Sequence, residues 1–359
     1  MKTHPLAHCL FLCALMLLFW GVSCKEVTGP GEELPQTPDT TSHDWQWTIT
    51  TLGDGGSSAL YDVAIINDSL AYAVGEIYLR DSITGQLDPI KYNVAKWDGK
   101  GWTLQRVFYV ASRDNISAPV FRSILAFGEN DVWAFSADVA NRWNGAEWIS
   151  TFNSPVMFGF GWINKAWGTS SSNFYVVGNN GNLAHYDGSV WRRLNSGTGF
   201  HIADIYGDSS NGSYEILAVA LNGFNSYDRL ILSIKGSKVD SIPAFPIQYE
   251  LTGIWFQKDK HYWITGAGVH HKNKLEELAW KERTRGSYFT SQIHANNWND
   301  ILTAGSGGEV MHYNGSTWKN YEAQIGLYGN YYGLRMKGEL AIGVGQMPVK
   351  AIILIGKRK

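Results

Sequence analysis

From about Asp44 to the C-terminus, apolar and polar side chains alternate in short runs separated by Gly, Asn, Asp and Ser. Period-two alternation between such breakers predicts half-buried strands joined by tight turns. Helical spacing is almost absent, and 272–280 is the one place where a turn of helix is expected. The alternation also returns at a fixed interval. A heptapeptide of basic residue, aromatic, Asp or Asn, Gly, two variable residues and Trp reads KWDGKGW at 96–102, RWNGAEW at 142–148, HYDGSVW at 185–191 and HYNGSTW at 312–318. Its tryptophans, Trp102, Trp148, Trp191 and Trp318, are 46, 43 and 127 residues apart. The last gap is three intervals of about 42 residues, the range of repeat architectures. Two degenerate copies therefore lie inside it: one at His270-His271 with Trp280 after an enlarged turn, one at 229–239 without a tryptophan. Asp-Gly and Asn-Gly favour a type I′ turn, so each copy is expected to be a tight hairpin joining two strands.

Upstream of each hairpin comes an apolar strand, a polar turn and a second strand that usually ends in Gly. Seven such starts occur, at 63–75, 124–136, 166–178, 205–220, 254–266, 293–305 and 334–345. Start plus hairpin gives four strands in roughly 40 residues, the unit of a β-propeller, which hides sheet edges by radial repetition. The expected fold is all-β, a seven-bladed β-propeller. Its last unit offers only three strands before the chain ends, while 45–50 (Trp-Gln-Trp-Thr-Ile-Thr) reads like the strand that follows each Gly turn and has no blade of its own. Pairing the two ends would close the last blade with the N-terminal strand and remove two exposed edges.

The N-terminus follows different rules. Lys2 and His4 precede an apolar run from Leu10 to Trp20, then small residues up to Cys24. This is the pattern of a signal peptide over 1–23. Gly21-Val22-Ser23-Cys24 resembles the lipobox of bacterial lipoproteins, with Gly21 where that pattern prefers Leu; the resemblance implies a lipid on Cys24. Cys9 and Cys13 fall inside the removed segment, so Cys24 would be the only remaining cysteine. Residues 24–43 carry Pro30, Pro35 and Pro38 among Gly, Thr, Ser and Glu, a tether that buries too little apolar surface to offset its ordering entropy. The expected product is a monomer, lipid-anchored to the cell envelope at the outer membrane, with the propeller spanning 44–359.

The heptapeptides and the strand starts together resemble a family of bacterial propeller lipoproteins, often labelled as glucosyltransferases or as sialidase-like. The match covers nearly the whole mature chain and is best over 166–191 and 293–318. The family implies the propeller fold, but no catalytic residues can be placed from it. A sialidase Asp box has one residue between its Asp and its Gly, whereas Asp187-Gly188 and Asp98-Gly99 are adjacent.

Composition narrows the function. The chain carries 16 Trp, 18 Tyr and 15 Phe, and its net charge of -2 leaves no basic footprint for nucleic acid. It has no His-Glu-x-x-His, Cys-x-x-Cys, phosphate loop or nucleophile elbow, so no metal or cofactor is expected. His185, His270 and His312 share a repeat position, one per blade, each expected to pack beside the tryptophan of its own blade. In a four-stranded blade the connection between strands two and three and the link to the next blade emerge on one face. On that face the sequence concentrates aromatics, and the expected ligand contacts are Tyr109, Phe158, Phe160, Trp162, His201, Tyr288 and Tyr328. Such rings supply apolar area at small entropic cost. An insertion at 76–92, found only in the first unit, would wall one side. The expected role is a binding or scaffolding module for a glycan, peptide or protein. The alternative is a glycan-active enzyme at the channel mouth, which would need paired carboxylates there.

Cys24→Ser is expected to leave the protein unprocessed or soluble when membranes are fractionated; normal processing with membrane retention would overturn the lipid anchor.

Overall fold

The structure, a computed structural model, describes residues 39–112, 115–137, 139–150, 161–209, 214–222, 225–326 and 329–359. Seven four-stranded antiparallel sheets follow one another along the chain. Blade one spans 59–105, blade two 123–150, blade three 163–193, blade four 201–242, blade five 251–284 and blade six 290–320. Blade seven takes three strands from 330–358 and its outer strand, Trp45–Leu52, from the other end of the chain. That strand pairs without a register shift against Ala351–Arg358, from Trp45 opposite Arg358 to Leu52 opposite Ala351. The expected seven-bladed propeller and its N-terminal closure are both present.

Packing explains why the apolar side chains recur so regularly. Among the described residues the buried apolar side chains fall into seven clusters, each shared by two neighbouring blades, including the pair formed by blades seven and one. The core is thus a ring of wedges, and every blade needs both neighbours to bury its two faces.

The Asp-Gly and Asn-Gly turns differ from the type I′ expectation. In each, only the glycine has positive φ: Gly99 at 89°, Gly145 at 98°, Gly188 at 92° and Gly315 at 96°. The loop holds four residues, closed by facing aromatics such as Trp97 and Trp102. The preceding Asp or Asn heads it instead: Asp98 Oδ1 accepts the backbone N–H groups of Lys100 and Gly101, and Asn314 does the same for Ser316 and Thr317. Two residues between Gly and Trp make the loop too long for a two-residue turn, so the side chain caps the extra N–H groups. A Cβ on Gly188 would lie 2.6 Å from Ser172, in the turn between the first two strands of the same blade. Both turns of each blade therefore stack on one face, called here the turn face.

Three other expectations shift. Lys272 ends a strand and 273–280 form bends and a turn, and the only α-helical turn among the described residues is Glu322–Ile325. Pairing places His271, opposite Trp263, where His185 and His312 sit in their blades, one residue beyond His270. Only His271 packs on a tryptophan of its own blade; His185 lies on Tyr175 and bonds Asn173, and His312 bonds Asp300. Residues 39–43, expected to be part of the tether, are bonded to blade six on the turn face. Thr41 donates its N–H to Asn314 and its hydroxyl to the Asn299 carbonyl, and Asn299 donates to the Asp39 carbonyl.

A histidine pair completes this latch. Asp300 accepts from Nε2–H of His312 at 2.9 Å, which leaves Nδ1 of the neutral ring to accept from Nδ1–H of His43 at 2.7 Å. Protonating His312 at Nδ1 would place two hydrogens between the two nitrogens, whereas a second proton on His43 would go to Nε2, 3.1 Å from the Thr317 hydroxyl. Burial first, then the His312, Lys319 and Arg358 charges, lower the His43 pKa to about 4, against a small upward push from Asp44. Burial also lowers His312, although Asp300 pulls it up.

Two outcomes follow from the closure. Deleting 45–52 exposes the edge of Ala351–Arg358, and calorimetry is expected to show a far lower Tm than deleting 25–38 does; equal melting would overturn the closure. The latch histidines are neutral when folded and titrate near 6.5 when unfolded, so their stabilisation is complete above that pH and is lost as pH falls from about 6.5 toward 4. Tm measured across this window should fall less steeply in His43→Gln than in the parent; identical slopes would remove the latch from the account.

Candidate functional site

Opposite the turn face, the inner strand of each blade begins with an irregularity. One extra residue is inserted where the strand starts: Tyr61, Asn164, Ala203, Thr252, Ser291 and Tyr332 in blades one, three, four, five, six and seven. Blade two has its counterpart in Arg122, since Arg122 donates its N–H to the Phe135 carbonyl while Ser123 also faces Phe135. A bulge of this kind bends a strand and re-aims a side chain. The strand-ending glycines belong to the same device. A Cβ on Gly75, Gly266, Gly305 or Gly345 would lie 1.8–2.1 Å from the carbonyl oxygen of Ala59, Glu250, Phe289 or Asn330, just ahead of the bulge.

These seven positions ring the channel mouth and connect in two ways. In one arc, short polar side chains tie each blade to the next: Asn164 donates to the Ile202 carbonyl, Thr252 to that of Thr290 and Ser291 to that of Tyr331. In the other arc, large side chains stack. Tyr332 of blade seven lies 5.8 Å from Tyr61 of blade one, nearly parallel at 19°. The Arg122 guanidinium lies 4.0 Å from the Tyr61 ring centre and 4.9 Å from that of Trp162, which precedes blade three. Tyr61, Arg122, Asn164, Tyr332 and Gln346 line a cavity of about 430 Å³ at this mouth. Tyr61 donates its hydroxyl to Glu76, which also accepts from Tyr78. Burial, and Glu76 against the opposing Arg122 charge, push the Tyr61 pKa up to about 12, so its O–H keeps its proton.

Below the mouth the channel is filled. Lys165 of blade three reaches Asp62 of blade one at 2.8 Å, and Arg335 of blade seven lies 3.8 Å from the same carboxylate. Burial pushes Asp62 up, but Lys165 and Arg335 outweigh it and hold its carboxyl below the usual range. The second oxygen of Asp62 accepts from Ser123 and the Ile124 N–H. Asp204 repeats this in blade four, accepting from the N–H groups of Ile205 and, across the blade boundary, Ile254. Both carboxylates are buried and committed to joining blades, so neither is placed to act as the acid or base of a glycosidase pair.

The aromatic positions expected from sequence divide. Trp162 is 40% exposed and belongs to the stacked arc. Tyr288 is 43% exposed on blade six over Gly307, His201 is half-buried with Nδ1 accepting the Asn180 N–H, and Tyr109 starts an extra hairpin between blades one and two. None of these three lines the mouth cavity. Phe158, Phe160 and Tyr328, like Cys24, lie outside the described residues. The insertion of blade one does fold back on itself, pairing Arg80 with Leu87. A second cavity of about 190 Å³ lies beside Tyr249 and Trp280, but its charged groups, Glu282 and Arg285, pair with each other.

Sequence reasoning missed Tyr61, Arg122 and Tyr332. The signal was a polar or aromatic residue inserted between two buried positions at the start of each unit, as in Leu60-Tyr61-Asp62 and Phe121-Arg122-Ser123.

Among solved structures the chain is similar to "YCF48 bound to D1 peptide", at 15% identity and a TM-score of 0.65, covering 90% of this chain and 100% of that one. YCF48 from Cyanidioschyzon merolae gives 16% and 0.62, covering 88% and 99%. The WD40 β-propeller domain of Doa1 gives 12% and 0.58, covering 89% and 98%. At such identities the likeness concerns the fold, which is the propeller. No protein-family model and no curated protein matches the chain.

Proposed function

We propose that this chain is a binding module that holds a protein or peptide partner across its loop face. The observation that carries this is the stacked arc of Tyr332, Tyr61, Arg122 and Trp162, which crosses the boundaries of blades seven, one, two and three and opens into the mouth cavity. Rigid aromatics bordered by hydrogen-bonding amides, here Asn164 and Gln346, are what protein interfaces use as anchors. The filled channel beneath makes the mouth a shallow dish, suited to an extended chain lying over it. A solved neighbour of the same fold holds a peptide, by its description, which supports the reading by analogy of fold alone.

Orientation adds to it. Trp45, where the closing strand begins, pairs with Arg358 at the turn face, and 39–43 run along that face. With a lipid on Cys24, the anchored segment would join the propeller at its turn face, the face opposite the aromatic arc. No helix among the described residues is long and apolar enough to cross a membrane; in this reading the anchor is the lipid on Cys24.

Panning the protein against a random-peptide library tests the site. Trp162→Ala and Tyr332→Ala are each expected to weaken selected peptides about tenfold, roughly 1.4 kcal/mol, with Tm nearly unchanged. Selected peptides that bind both variants as well as the parent would place the interface elsewhere.

A further inference from the structure

We propose that Arg122 is a receptor for a carboxylate carried by an acidic peptide, an inference that rests on the peptide-binding reading of the loop face. Four observations carry it. Two rings lie against the guanidinium, Tyr61 at 4.0 Å and Trp162 at 4.9 Å, which leaves its edge for new partners. No acidic side chain among the described residues forms an ion pair with it. Its Nε is buried without a hydrogen-bond partner, although the side chain as a whole is only half-buried. It also lines the mouth cavity rather than the filled channel below.

A guanidinium offers five donors in a planar fork that matches a carboxylate, and a half-buried cation gains more from such a partner than a fully exposed one does. The other arginines near a carboxylate behave differently: Arg106 is paired with Asp88, Arg142 with Asp131 and Arg358 with Asp300. At Arg122 no such pairing is present among the described residues. The rings favour a flexible carrier over an acidic sugar. Tyr61 has one face on Arg122 and the other on Tyr332, so it has no free face on which a sugar ring could stack. An extended peptide needs no such face. Its carboxylate meets the fork edge-on, while the Gln346 amide and the exposed part of Trp162 remain for the flanking residues.

The test is calorimetric titration of the full chain with the N-acetylated, C-amidated pentapeptide Ala-Phe-Glu-Phe-Ala, in which Glu is the only carboxylate, and with its Gln counterpart. The Glu peptide is expected to bind at least tenfold more tightly, with an advantage that shrinks as salt rises. Arg122→Gln should bring the two peptides within twofold of each other. Arg122→Lys, which keeps the charge without the fork, should retain less than half of the logarithmic preference; it also serves as the second variant if Arg122→Gln lowers Tm. Equal binding of the Glu and Gln peptides by the parent, or an unchanged preference in Arg122→Gln, overturns the assignment. Stronger competition by free glucuronate than by the Glu peptide would overturn it in favour of an acidic sugar. If library-selected peptides bind through Trp162 and Tyr332 with no preference for acid over amide, the receptor falls and the peptide-binding reading stands; if no peptide binds at all, both fall.

Discussion

The pairing of Trp45–Leu52 with Ala351–Arg358 is the constraint on which the rest depends. Each blade buries its two faces against two neighbours, so a propeller has no stable partial form in which one blade lacks a partner. Closing the ring with a strand from the far end of the chain puts the first and last strands of the propeller in one sheet. The contact is also non-local in sequence, so its loop-closure entropy is borne early while the hydrophobic return comes only when all seven wedges are filled. The latch at 39–43 extends the same seam onto blade six, where His43 meets His312 and the hydroxyl of Tyr321 donates to the His43 carbonyl. The seam is therefore held by a continuous backbone ladder plus a short polar strap that carries the histidine pair.

Fold and site share one local device. In blades one, five, six and seven a glycine near the end of the second strand lets it pass within touching distance of the carbonyl before the bulge, and in every blade the bulge turns one side chain toward the mouth. Repeating the bulge seven times gives seven such side chains at nearly equivalent places. What varies is only their chemistry. Asn164, Thr252 and Ser291 are short enough to reach the next blade's carbonyl and become part of the scaffold. Tyr61, Arg122 and Tyr332 are too large for that role and stack instead, which leaves their edges toward solvent. A symmetric scaffold thus acquires an asymmetric mouth by side-chain size alone.

The sequence made the repeat legible because strand alternation and turn glycines are local signals, dictated by sterics at each copy. The same holds for closure, since an orphan strand at 45–50 and a missing strand at the end are both visible in one dimension. The turn type was not legible, because Asp-Gly opens both two-residue turns and longer loops headed by a side chain; the two residues before Trp102 or Trp318 decide between them. Nor was the helical turn, which moved from 272–280 to Glu322–Ile325 because it packs beside the closing strand, a tertiary preference. The site was legible only in part. Trp162 stands out as an aromatic in a polar link, but Arg122 and Tyr61 sit inside strand patterns, where a polar residue between buried neighbours reads as the solvent-facing position. Only the bulge reverses that meaning, and a bulge shows in the pairing, not in the order of residue types.

The stacked arc and the closure seam coincide, and this couples binding to stability. Tyr332 belongs to the blade that the N-terminal strand completes, and Tyr61 belongs to the blade that follows it. Opening the ring between blades seven and one would separate the two rings, with Tyr61, Arg122 and Trp162 on one side and Tyr332 on the other. A ligand that contacts the arc on both sides of the seam therefore binds the closed ring and not the open one. By linkage it stabilises the closed form by RT ln(1 + [L]/Kd), about 2.7 kcal/mol at a hundredfold excess over Kd. The latch is on the opposite face and touches no residue of the arc, yet it acts on the same equilibrium. Weakening it by acid raises the share of open molecules and lowers apparent affinity by the fraction that remains closed. Charge at His43 and occupancy at Arg122 are thus tied through the one backbone ladder between them, without any movement having to pass through the filled channel.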